Sequence, residues 1–205
     1  MGSWKRLDLR SMKRPAFQVR RRMTELSLLR AKYKVIYADP PWQYSNSGFH
    51  ESAEKYYPTM SIEQICSLPI NNLAREDAIL FLWVTSPLMP EGFKVCQAWG
   101  FKYKTSFIWI KNTAPSMGWY VRTKHEVLFL ATKRTCDHPK NKFDSVFFSK
   151  RSKYSQKPFC VYEMIERMYP GPYLELFARE KRRGWDAWGN EVPANEEPLQ
   201  LYWRF

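Results

Sequence analysis

Apolar positions in this chain come in short blocks, separated by polar, proline-containing or basic stretches. Residues 33–38 (YKVIYA), 78–84 (AILFLWV), 103–110 (YKTSFIWI), 126–132 (EVLFLAT) and 173–178 (YLELFA) are β-branched, aromatic or aliphatic runs of strand length. Between them lie helical patterns. Residues 87–99 carry one, closed by Gly100, and residues 158–168 carry another that opens on Pro158 and stops before Pro170-Gly171. Thr59 or Ser61 is placed to cap a shorter helix, with Glu63 and Gln64 in its first turn. The strand blocks are apolar almost throughout, so the pattern predicts strands covered on both faces. Alternation of such strands with helices predicts an α/β fold around a mostly parallel sheet.

The remaining stretches divide the chain. Residues 1–17 are basic and aperiodic and read as a flexible or partner-ordered arm. Val19, Met23, Leu26 and Leu29 give residues 18–30 the spacing of a basic amphipathic helix. The main folded unit is expected over residues 33–192, after an arm and helix at 1–32 and before a tail at 193–205. Loops are expected at 43–58 and 111–123, and 133–156 reads as a long basic stretch without period.

Charge adds a partner. The chain of 205 residues has 33 Lys/Arg against 20 Asp/Glu, a net +13. Residues 1–34 hold eleven bases and two acids, net +9; residues 111–157 hold eleven and three, net +8; the rest sums to −4. Two separated basic blocks in a chain of this size point to a polyanion such as nucleic acid. Cys66, Cys96, Cys136 and Cys160 show no zinc-site spacing, and no metal is expected. With no secretory pattern and no apolar run of membrane-spanning length, a soluble cytoplasmic protein is expected, nuclear in a eukaryotic source.

The candidate chemistry lies at the end of the first strand block, in Asp39-Pro40-Pro41-Trp42. Ligands of open α/β sheets bind beyond the carboxyl ends of strands. An exocyclic adenine amine is a poor nucleophile, because its lone pair is delocalised into the ring. A carboxylate accepting one N–H and a backbone carbonyl accepting the other would draw density back onto nitrogen. Asp39 can supply the first and Pro40 the second, while the two prolines fix the backbone and pre-organise that carbonyl. Trp42 offers a flat face for a base taken out of its stack.

Further motifs carry a resemblance. They are Tyr57-Pro58-Thr59-Met60, Leu80-Phe81-Leu82-Trp83-Val84, Lys124-His125-Glu126, Ser155-Gln156-Lys157-Pro158, Glu175-Leu176-Phe177-Ala178-Arg179 and Trp188-Gly189-Asn190-Glu191. With Asp39–Trp42 they make the chain, from about Lys34 to about Val192, resemble the adenine-N6 methyltransferases of the mRNA-adenosine-methyltransferase (MT-A) type. The resemblance implies a Rossmann-like class I methyltransferase fold, with helices on both faces of the sheet and the catalytic motif ahead of the main cofactor strand. It implies S-adenosylmethionine as cofactor. Asp39 would hold the target amine near it. Phe177 and Arg179 would line its adenosine, Asn190 and Glu191 its ribose or purine, and Lys124 its methionine end. Tyr57 would sit near the substrate base. The family's RNA-targeting complexes use zinc fingers or a partner subunit, and this chain carries no finger. The basic residues Lys140, Lys142, Lys150 and Lys153 are expected to take over substrate binding.

The compact chain is more similar to small standalone DNA-modifying relatives of bacterial or phage type than to large RNA-modifying subunits, so DNA is favoured over RNA. Readings left open are an RNA methyltransferase, an inactive nucleic-acid-binding partner subunit, a cytosine-N4 methyltransferase and a plain RNA-binding module. A homodimer or a partner subunit also stays open.

Overall fold

In the computed structural model, residues 32–44, 59–111, 120–149 and 157–189 are described. They form one seven-stranded sheet. The strands are β1 (Tyr33–Ala38), β2 (Ala74–Val84), β3 (Lys102–Lys111), β4 (His125–Thr132), β5 (Val146–Ser149), β6 (Tyr173–Leu176) and β7 (Trp185–Trp188). The helices are α1 (Ile62–Cys66), α2 (Ile70–Leu73), α3 (Met89–Ala98) and α4 (Cys160–Met168). The strand order is β5-β3-β4-β2-β1-β6-β7. Four pairings are parallel, and only β4 runs against both of its neighbours.

Side chains of β1 alternate between two core layers, as strand geometry requires. Ile36 and Ala38 join Leu80, Leu82 and Phe129 beneath Ile65 of α1, Ile70 and Leu73 of α2, and Val95 and Cys96 of α3. Val35 and Tyr37 join Phe81, Trp83 and Trp109 beneath Val161, Met164, Ile165 and Met168 of α4. Burial of each such aliphatic side chain contributes about 1.5–3 kcal/mol. Both faces of the sheet are covered, which is why its central strands read as continuous apolar runs.

Ser61 is the cap of α1. Its hydroxyl accepts from Gln64 N–H at 3.3 Å, and its own N–H donates to Gln64 Oε1 at 2.9 Å, a reciprocal capping box. The pattern over residues 87–99 resolves into a 3₁₀ turn at Ser86–Leu88 followed by α3.

Other boundaries differ from the sequence pattern for local reasons. Strand β2 begins at Ala74 rather than 78, because its polar first residues, Arg75, Glu76 and Asp77, lie outside the core. Strand β6 ends at Leu176 rather than 178, because Phe177 turns into the left-handed region at φ 63°. Two strands lie where the sequence shows no strand pattern: β5, inside the aperiodic basic stretch, and β7, after the last apolar block. Each has four residues and sits at a sheet edge, so neither carries the long apolar run that marks a covered strand. The expected arm, the 18–30 helix and the 193–205 tail lie outside the described residues. Among those described, no helix is long and apolar enough to cross a membrane.

The register makes one half of the sheet taller. Val84, the last residue of β2, pairs with Val127; Val127 pairs with Ile108, and Ile108 with Val146. Strand β5 therefore starts where β2 stops. The β3–β4–β5 half rises about three residues further, roughly 10 Å at about 3.3 Å per residue, and walls one side of the carboxyl edge.

Candidate active site

From β1 the chain runs to β2 on one side of the sheet, while β6 and β7 extend the other side. Neighbours β1 and β6 are parallel and end together, Ala38 opposite Leu176. Such a switch point is where an open α/β sheet leaves a crevice for ligands. Asp39 follows β1 there, and Phe177 follows β6.

Asp39 belongs to a line of alternating charges. Lys157 Nζ lies 2.7 Å from Asp39 Oδ2 and 3.2 Å from Glu126 Oε2, and Lys111 Nζ pairs with Glu126 Oε1. The two ammonium groups also lie over indoles: Lys157 is 5.4 Å from the Trp83 ring centroid and Lys111 is 5.5 Å from that of Trp109. Side-chain exposure is 28% for Asp39, 24% for Lys111, 14% for Glu126 and 12% for Lys157. Asp39 is thus the carboxylate a ligand can reach, and Lys157 and Glu126 stand behind it.

The electrostatics follow from this burial. Desolvation raises the Asp39 pKa, and the Glu126 charge adds to that; Lys157 and Arg179 oppose without cancelling it. For Glu126 burial also pulls upward, but Lys157 and Lys111 outweigh it and hold the carboxyl below its ordinary value. Burial alone would lower the Lys157 ammonium; Asp39 and Glu126 reverse that and hold it above its ordinary value. Lys157 therefore stays a cation and pins Asp39.

An aromatic network supports this floor. Trp83 Nε1 donates to Tyr37 Oη at 2.7 Å, and Tyr37 meets Tyr162 edge-on at 5.2 Å. Tyr162 Oη donates to Glu175 Oε1 at 2.8 Å. Burial pushes the Glu175 carboxyl up to about 7, against the bond from Tyr162.

The motif loop is held by its own backbone. Trp42 N–H donates to the Pro40 carbonyl at 2.9 Å, and Met60 N–H donates to the Pro41 carbonyl at 2.8 Å. The Trp42 indole donates to the Trp83 carbonyl at 3.1 Å, and its ring is buried in the core. On the other flank, Phe177 packs edge-on against Trp188 at 5.5 Å, and Ala178 N–H donates to the Trp188 carbonyl at 3.0 Å. A Cβ on Gly189 would lie 2.0 Å from the Ala178 carbonyl oxygen, so only glycine permits this approach.

A match to the family described as MT-A70 covers residues 33–191. The chain belongs to the MT-A70 family. It is an adenine-N6 methyltransferase of that family, with the mixed α/β fold expected of it. A type II methyltransferase, M.MunI, of Mycoplasma sp is 34% identical over 191 residues, covering 82% of each chain. An N(6)-adenosine-methyltransferase MT-A70-like protein of Arabidopsis thaliana is 30% identical over 78% of this chain and 24% of its own length. The human N(6)-adenosine-methyltransferase catalytic subunit METTL3 is 29% identical over 83% of this chain and 30% of its own. The chain thus spans less than a third of these plant and animal relatives.

Within this MT-A70 domain, Asp39, Pro40, Pro41, Trp42, Lys124, Phe177 and Arg179 all lie at the carboxyl edge. Arg179 is close enough to act on Asp39 through its charge. Lys124 is exposed beside β4, its carbonyl accepting from Lys111 N–H at 2.8 Å. One expectation is corrected. Trp42 presents no open face to a base: its ring is a core residue that anchors the loop. Lys140 and Lys142 are not brought to Asp39. Lys140 N–H donates to the Met168 carbonyl at 2.8 Å, at the end of α4 that leads into the start of β6. Both lysines therefore sit toward the amino edge, the far end of the sheet, because β4 runs downward and delivers the chain there. Tyr57, Lys150, Lys153, Asn190 and Glu191 lie outside the described residues. Lys157 and Glu126 fall within the family motifs, but the sequence alone assigns them no role. Lys157 sits in a basic stretch where nothing in the charge pattern separates it from its neighbours.

Proposed function

We propose that this chain transfers a methyl group from S-adenosylmethionine to the N6 amine of adenine in DNA. The observation that carries the reading is Asp39, open to the crevice at the β1/β6 switch point and held from behind by Lys157 at 2.7 Å. The crevice fits the cofactor on its own terms. The close approach of Gly189 to Ala178 leaves backbone where a side chain would intrude, and the half-buried Phe177 and Trp188 rings suit a flat purine. Phe177 and Arg179 would hold its adenosine, Asn190 and Glu191 its ribose or purine, and Lys124 its methionine end. When bound, it supplies an electrophilic methyl carbon.

The chain's own groups prepare the nucleophile. Asp39 accepts one N–H of the adenine amine and turns the nitrogen lone pair out of the ring. The Pro40 carbonyl has spent one lone pair on Trp42 N–H and keeps a second for the other N–H. Lys157 is a positioning residue: its short contact fixes the Asp39 carboxylate, and holding a reacting group in place supplies much of the acceleration. The role proposed for Tyr57 is contact with the substrate base.

DNA is favoured because the type II methyltransferase matches at 34% identity, above the 30% and 29% of the relatives named for adenosine. A cytoplasmic enzyme, with the DNA it modifies, follows from that choice. The test is methyl transfer from labelled S-adenosylmethionine to duplex DNA, single-stranded DNA and RNA of matched sequence, with nucleosides identified after digestion. The expected result is label in N6-methyladenine of DNA, lost with Asp39→Ala. Label in RNA alone overturns the DNA assignment. Cofactor binding without transfer to any substrate points to an inactive partner subunit.

A further inference from the structure

The wall of β3, β4 and β5 carries a feature that methyl transfer itself does not use. We infer that Tyr120 and Arg122, on the rim of that wall, form a docking element for a nucleic-acid strand beside the target adenine, an inference that rests on the proposed function. Tyr120 is 98% exposed and Val121 70%. They belong to the stretch that leads into β4 at His125, and the carbonyl of nearby Lys124 is tied to Lys111 at the carboxyl edge. Lys111 pairs with Glu126, which shares Lys157 with Asp39. The rim is therefore joined to the site by one chain of contacts. Phe148, 75% exposed, stands on the same wall, since it pairs with Ile110 and Ile110 with His125.

Ion pairing sets Arg122 apart from four cations of the opposite edge. At the amino edge, Lys34 and Arg75 pair with Asp77, and Lys133 and Arg134 pair with Glu76. Those cations are neutralised within the protein. Arg122 is exposed and forms no ion pair among the described residues, and no acid lies between Tyr120 and His125. A fully exposed ring next to an uncompensated guanidinium suits a ligand with flat faces joined by phosphates. Aromatic rings stack on unpaired bases whatever their sequence, and arginines hold the backbone. An adenine displaced toward Asp39 leaves its partner base unpaired in a duplex, and in a single strand its neighbours are already unpaired, so a base is available for Tyr120 to stack on.

The test measures binding of the full chain to fluorescein-labelled single-stranded DNA, duplex DNA and RNA by anisotropy across a salt series, alongside methyl transfer. Tyr120→Ala is expected to raise the Kd about tenfold on the preferred substrate with the salt dependence unchanged. Tyr120→Phe should restore binding, because the ring does the work. Arg122→Gln is expected to lower the slope of log K against log salt by about one. The substrate whose binding responds most to Tyr120→Ala identifies DNA or RNA as the strand. Loss with Tyr120→Phe equal to that with Tyr120→Ala overturns stacking. Wild-type binding and slope in both Tyr120→Ala and Arg122→Gln overturn the rim while leaving the proposed function intact. A wild-type chain that methylates none of the three substrates counts against the proposed function itself.

Discussion

Lys157 donates to Asp39 across 2.7 Å although 118 residues separate them along the chain. Replacing Lys157 by Met removes the main charge that opposes desolvation of Asp39. The Asp39 carboxyl, already above its ordinary value, must rise further. In the proposed reaction transfer requires the carboxylate, so activity is expected to fall as pH drops through the Asp39 pKa. The acid limb of kcat/KM should therefore move to higher pH in Lys157→Met. A carboxylate released from its position should also lower kcat at the pH optimum by about 10²-fold. A pH profile of both proteins checks this, and Lys157→Arg should recover part of the loss. An unmoved acid limb would mean that Lys157 does not control the charge on Asp39.

Gly189→Ala should destabilise the fold and abolish cofactor binding together. Its Cβ would meet Ala178 backbone at 2.0 Å and force the β6 and β7 ends apart. Overpacking of this kind costs about 1–3 kcal/mol or more, a drop of several degrees in Tm for a chain of about this size. Gly184→Ala is the contrast. Gly184 has φ 83° but nothing within 4 Å of the added atom, so it should show only modest backbone strain. Thermal melting with and without S-adenosylmethionine separates the two.

Glu175 gives a prediction in stability rather than rate. Its carboxyl rises from an ordinary 4.5 to about 7 in the folded state, mainly through burial. Between those values the folded chain binds more protons than the unfolded one, so this residue makes stability fall as pH rises through that window. The total is on the order of 3 kcal/mol. Glu175→Gln keeps an acceptor for Tyr162 and removes the titration. Denaturant unfolding from pH 4.5 to 8 should show a shallower decline in the variant, and parallel curves would refute the assignment.

Lys140→Gln combined with Lys142→Gln should leave kcat/KM within about twofold of wild type, as exposed surface changes usually do. Both lysines lie toward the edge of the sheet away from Asp39. A large rise in KM, measured at low salt, would show that substrate reaches that end of the molecule.

The local sequence determined what depends on residues close together in the chain. The strands β1 and β4 and the helices α3 and α4 are legible within one to three residues, because an element buried on one or both faces must carry the matching apolar period. The Asp39-Pro40-Pro41-Trp42 motif at the end of β1 also reads directly, since proline ends a covered strand and the carboxyl edge is where chemistry collects. Strands β5 and β7 do not read, because a four-residue edge strand is defined by its hydrogen-bonding neighbour and not by its own pattern. Nor does the fate of the charges. Lys140 and Lys157 sit in one basic stretch and look alike in sequence, yet the reversal of β4 carries one to the amino edge, while β5 runs back to the carboxyl edge ahead of the other, which meets Asp39. Trp42 likewise reads as an exposed platform until the fold closes over it. Burial and long-range pairing decide which lysine is a surface charge and which holds the Asp39 carboxylate, and both are properties of the packed sheet.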